Sequence, residues 1–167
     1  MCATGSILSV AKAFLVGYTL FMRKLFIASV TYLVIGLASG VFYREFTRAY
    51  SFDGPTSLST IHTHTLVLGT IFFLVLLALD KHFELSERKQ FSGWFWLYNI
   101  GLTWTVAALS VRGIVEITAG CDAWSPAFSG ISGIGHILLA ISWVWLFRII
   151  YLSIRGDAGY SGSLHYR

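Results

Sequence analysis

The sequence predicts an all-α integral membrane protein of four spanning helices, on three observations. Of 167 residues, 56% are hydrophobic and only 12% charged. Mean hydropathy is +0.70, outside the range of a soluble domain of this size. A hydrocarbon core of about 30 Å takes roughly 20 apolar residues per helical crossing, and four such runs fit with short loops between them. The runs are continuously apolar rather than alternating, so helices are expected and not barrel strands.

The chain divides into an N-terminal extension or interfacial segment at 1–22, a transmembrane domain at 23–155 and a tail at 156–167. Residues Ile7–Met22 are apolar but carry Lys12, and the stretch is too short for a fifth span. Met22-Arg23-Lys24 has the look of a natural start, and no small-residue cleavage site follows to suggest a secretory signal.

The first span is expected at Leu25–Tyr43. Gly36 and Gly40 stand one above the other on its face and admit close packing against a helix or a flat ligand. The span ends in Tyr43-Arg44-Glu45-Phe46, which reads as an interfacial anchor. The second is expected at Ile61–Leu79, with Ser59 or Thr60 capping its first turn. It opens with His62-Thr63-His64. At about 100° per residue the two imidazoles diverge by roughly 200°, so a regular helix cannot bring both to one small ion. Such a helix suits a position between two cofactors, one imidazole for each. Gly69, two turns below His62 on its face, leaves room for a planar ring.

The third span is expected at Trp94–Ala119. Arg112 and Glu116, four apart, share a face and pair with each other, or Arg112 meets an external anion. The fourth, Ile131–Leu152, is approached through Gly130-Ile131-Ser132-Gly133-Ile134-Gly135-His136, which brings backbone close to whatever His136 faces. An intramembrane histidine is costly unless it ligates, shuttles protons or finds a polar partner. Most of the six tryptophans read as interfacial belt or core filler.

Lys12, Arg23, Lys24, Lys81, Arg88, Lys89, Arg155 and Arg167 fall on the face of the two termini and the second loop, against Arg44 and Arg48 on the other. Both termini are therefore expected in the cytoplasm, in a multi-pass protein of a bacterial inner membrane. The three histidines then lie toward the outer leaflet. The basic residues form no dense cluster, so the net charge of +4 gives no support to nucleic-acid binding. Cys2 and Cys121 fall on opposite faces and belong to no CxxC motif. Hydrolase motifs are missing from the sequence.

Tyr43-Arg44-Glu45-Phe46-Thr47, His62-Thr63-His64-Thr65-Leu66-Val67-Leu68-Gly69, Val111-Arg112-Gly113 and Ser129 through His136 resemble a small bacterial family of uncharacterised four-span membrane proteins over Arg23 to Leu152. More distantly, His62-Thr63-His64 is similar to the His-x-His helix of the haem-copper oxidase catalytic subunit, whose twelve helices form three arcs of four. That likeness implies a homotrimer with haem b (iron) in each cleft, held by His62 of one subunit and His64 of the next. It also implies propionates near Arg112 and Arg44, and ring space at Gly36, Gly40 and Gly69. His136 pairing with His62 or His64 within one chain is the alternative. The trio of copper histidines and the crosslinked tyrosine of those oxidases have no counterpart.

The expectation is a membrane haem b protein for electron transfer, or for redox or gas sensing, near the outer leaflet, with an unidentified redox partner. Two rivals stand beside it. One is a copper or zinc binding or transport protein using His62, His64 and His136, or His136 with one of the other two plus Glu116. The other is a structural subunit whose polar groups satisfy one another.

Overall fold

The computed structural model describes the backbone over residues 3–161 and the side chains over 20–155 except Cys121. The side chains of the 1–19 stretch and of the 156–167 tail, and the placement of Cys2 and Cys121, lie outside the described residues. Helix α1 runs Ala3–Ala49 and α2 Leu58–His64; a π-helical segment, Thr65–Ile71, joins α2 to α3, Phe72–Phe83; α4 is Lys89–Thr118 and α5 Pro126–Ser161. The backbone of the expected extension is thus helical from Ala3 and continuous with the first span.

Among the described residues, four stretches are long and apolar enough to cross a membrane: Leu20–Ala49, Leu58–Phe83, Lys89–Thr118 and Pro126–Arg155. Each coincides with an expected run, and most ends reach further. The hydrogen-bond ladder carries past the last apolar residue until backbone chemistry stops it. Ser51 (φ 47°), Glu84 (φ 48°) and Gly120 (φ 86°) sit in the left-handed region just beyond α1, α3 and α4, where a helix cannot continue. Pro126 opens α5, at a position whose missing N–H no helix needs.

The rod made of α2, the π segment and α3 is the hub. It packs along α1 on one side and meets α4 chiefly through α2, while α4 and α5 lie along each other. The core around α3 joins Leu25 and Tyr32 to Phe73, Leu76, Trp94 and Tyr98, and to Leu146 and Ile149 of α5. The buried Trp94 indole N–H donates to the Ser142 carbonyl at 2.8 Å, tying α4 to α5. Trp94 is the core filler expected, whereas Trp104 is exposed at the middle of α4, away from the ends where an interfacial belt was expected, and Trp96 is exposed nearer its start. Only 22–33% of each spanning window is buried, and the exposed remainder, rich in Ile, Val, Leu and Phe on α1 and α5, fits a lipid bilayer.

Asp80, near the end of α3, is fully buried, and its Oδ1 accepts the Ser86 N–H at 2.6 Å, folding the 85–87 turn back onto α3.

Candidate functional site

The histidines gather where the second span starts, and a polar clasp fixes that start. The Glu116 carboxylate, on α4, accepts the Ser57 N–H at 2.7 Å, the Ser57 hydroxyl at 3.1 Å and the Arg112 Nε–H at 2.8 Å. The Arg112–Glu116 pair read from their spacing is present, and it does more than neutralise itself. Its carboxylate takes up an orphan donor of the α2 N-terminus, which no side chain of α2 caps. Ser59 and Thr60 are not caps: they lie inside the first turn and donate to the carbonyls of Thr56 and Ser57, each at 2.8 Å. Thr56 supplies the local acceptor instead, for the Leu58 N–H at 3.3 Å. Gly113 lets the two helices meet here, since a Cβ on it would lie 2.5 Å from the Leu58 nitrogen.

From this start the two imidazoles diverge toward different neighbours. His62 lies against α1, with its Cβ 3.8 Å from where a Gly40 Cβ would stand; its buried Nδ1 has no hydrogen-bond partner. His64 turns toward α5. Its Nδ1 lies 2.8 Å from the Thr60 carbonyl oxygen. A carbonyl only accepts, so Nδ1 carries the proton and Nε2 presents its lone pair outward. Facing it, the His136 ring stands 6.5 Å away centroid to centroid, at 88° between planes.

His136 owes its position to Gly135. A Cβ at Gly135 would collide with the Thr105 hydroxyl, so this residue type lets α5 sit hard against α4. Three residues before His136, Gly133 has open space around it, as does Gly130. The other glycines serve differently from the ring space expected of them. A Cβ on Gly36 would come within 2.8 Å of Leu66 and Thr65, and one on Gly69 would run into the Tyr32 side chain. Both clefts are filled by protein where the second rod packs on α1, and the packing use of Gly36 is the one realised.

Arg44 is at the surface, its Nε 3.7 Å from Glu45 with both side chains mostly exposed, and it makes no approach to the histidines through that contact. Arg112 lies closer in, with its guanidinium carbon 6.0 Å from the Trp124 ring centre. Among the described residues no group of three or more His, Cys, Asp or Glu side chains converges to hold a metal ion. Neither expected copper or zinc set, the three histidines or His136 with one of the pair plus Glu116, is therefore assembled among the described residues of one chain. His62 points to the other flank, and Glu116 is committed to Ser57 and Arg112.

Thr60 was visible in the sequence only as a capping residue, yet its carbonyl orients His64. The signal was there in the spacing of four between them. Glu116 as an anchor of the second span joins residues 59 apart in sequence, and no local pattern announces it.

The fold and these polar groups define a multi-pass α-helical membrane protein that carries two facing histidines, His64 half-buried on α2 and His136 exposed on α5. The chain belongs to the family described as protein of unknown function (DUF2871), which matches residues 22–153. No curated protein and no solved structure matches it.

Proposed function

We propose that this chain is a membrane haem b protein with bis-histidine ligation, carrying electrons or sensing redox state or a diatomic gas near the outer leaflet. The observation that carries the reading is the His64–His136 pair. With metal–nitrogen bonds of about 2.0–2.1 Å and a ring nitrogen about 1.1 Å from its centroid, two imidazoles opposed across one metal have centroids about 6.3 Å apart. The rings here stand at 6.5 Å and nearly perpendicular. The Thr60 bond leaves the His64 Nε2 lone pair free, the second-shell arrangement usual for a ligating histidine. Open space at Gly133 suits a flat macrocycle approaching His136.

A haem in that position supplies a one-electron Fe(III)/Fe(II) couple, its potential set by axial ligands and burial. The residues of this chain have narrower tasks. His64 and His136 would hold the iron, Thr60 fixes the His64 tautomer, and Arg112 would meet an anionic edge. The pair favours ligation within one chain over the bridge between His62 and His64 of adjacent subunits. His62, on the opposite flank with Nδ1 unpartnered, is then the imidazole left for a neighbouring copy. A homotrimer built like the three arcs of the haem-copper oxidase core brings such copies together; this part rests on analogy of fold alone. Inner-membrane placement with cytoplasmic termini follows from the lysine and arginine bias.

The test is an absorption spectrum of the purified protein with haem-to-chain stoichiometry. The expectation is a red protein, low-spin when oxidised, whose Soret band sharpens and shifts on dithionite. His64→Ala and His136→Ala should each convert it to a high-spin form or empty it, whereas His62→Ala should leave the spectrum low-spin. A colourless preparation from haem-supplemented cells rules the reading out.

A further inference from the structure

A second membrane-facing site lies away from the histidines, in a groove of about 460 Å³ between α1 and α4. Its walls are apolar, with Ile27 and Ile35 on one side and Phe95 and Trp96 on the other. Its floor is polar. The Tyr32 hydroxyl donates to Asn99 Oδ1 at 3.0 Å and lies 3.4 Å from the Thr103 hydroxyl. The Asn99 amide gives one N–H to the Phe95 carbonyl at 2.8 Å, which leaves its second N–H over for a ligand. Polar groups at such depth are expensive and mark sites.

Depth selects the occupant. Lys24 stands at the inner mouth, and Tyr32 is eight residues further along the helix, about 12 Å deeper into the apolar layer. Phospholipid polar atoms stay outside the hydrocarbon core, and an acyl chain offers nothing to an amide N–H or a hydroxyl. A ligand that satisfies this floor carries oxygen on a flat, lipid-soluble body. We propose that the groove binds an isoprenoid quinone or its quinol: the Asn99 N–H donates to a quinone carbonyl, the Thr103 oxygen accepts from a quinol hydroxyl, and Trp96 and Phe95 flank the ring.

This names the redox partner of the haem reading and rests on it for the electron step alone. Tyr32 packs against Gly69, five residues along the second span from His64, so that span is the element shared by the groove and the histidines. With haem held by His64 and His136, a quinol in the groove would give up two protons and two electrons and leave as the quinone, one electron going to the haem of each of two chains.

The experiment titrates decylubiquinone into the detergent-purified full chain and follows quenching of tryptophan emission. Saturable binding is expected in the parent. Asn99→Leu should weaken it about tenfold, the loss of one hydrogen bond to a buried polar group. Ile27→Trp, which fills the groove from an exposed position, should abolish binding without altering haem content. Equal affinity in the parent and both variants overturns the proposal. So does a tightly held phospholipid that the quinone cannot displace, or an Ile27→Trp chain that loses its oligomeric state, which would make the groove a contact between copies. A red protein that binds no quinone sinks the groove and spares the haem. A colourless protein that binds it does the reverse.

Discussion

Replacing Glu116 by alanine removes the acceptor of three bonds at once: from the Ser57 N–H at 2.7 Å, the Ser57 hydroxyl at 3.1 Å and Arg112 at 2.8 Å. The backbone bond to a charged acceptor contributes about 1.5–2 kcal/mol and the hydroxyl about 1. The Arg112 side chain is 44% exposed, so water replaces its partner and that pair adds less than about 1 kcal/mol. The expected cost of Glu116→Ala is therefore about 3 kcal/mol, a fall in Tm of roughly 6–10 °C for a chain of this size. Arg112→Ala leaves both Ser57 bonds intact and should cost about 1 kcal/mol or less. Glu116→Gln, which keeps an acceptor oxygen, should fall between them. Thermal unfolding in detergent, read by intrinsic fluorescence, gives the order. The reasoning fails if Arg112→Ala is as damaging as Glu116→Ala, because the carboxylate would then act as half of an ion pair and not as the clasp on the second span.

Three further outcomes follow from the packing. Gly69→Ala drives a Cβ into Tyr32, close to its backbone where rotation gives no relief, and should cost about 2–3 kcal/mol; unchanged thermal stability would show that the first two spans slide freely. Gly113→Ala puts a carbon 2.5 Å from the Leu58 nitrogen and should lower both Tm and the occupancy of any group held by His64, measured together on one preparation. Tyr98→Phe removes the hydroxyl that donates to the Leu68 carbonyl at 2.8 Å. It should cost about 1 kcal/mol and speed amide exchange locally over 65–71, and uniform exchange across the second span would count against that assignment.

The four crossings were legible because lipid imposes one requirement, satisfied backbone in an apolar sheath, that runs such as Leu25–Tyr43 state residue by residue. The divergence of His62 and His64 and the pairing of Arg112 with Glu116 were legible too, since both follow from 3.6 residues per turn. What escaped depends on partners far along the chain. Gly36 and Gly69 look the same whether they make room for a ring or for Leu66 and Tyr32, and only the docking of the second rod on α1 decides. The burial of Asp80 depends on the turn at 85–87 folding over it. Nothing in Thr65–Ile71 signals a π-helical turn, because its sequence is as good an α-helix as its flanks.

That turn has a consequence for how the second span tolerates change. The Phe72 N–H reaches back five residues to Val67, and the backbone oxygens of Leu68 and Thr70 take hydroxyls from Tyr98 and Ser29, at 2.8 and 3.2 Å. A π turn amounts to one surplus residue looped into an otherwise ordinary helix. Deleting a lipid-facing member such as Val67 would absorb the surplus and leave the histidine end and the Phe73 end in phase. A one-residue deletion in α4 has no slack to draw on and would rotate everything beyond it by about 100°. Evolution by loss of a codon is thus open to this chain at one short stretch of its second span.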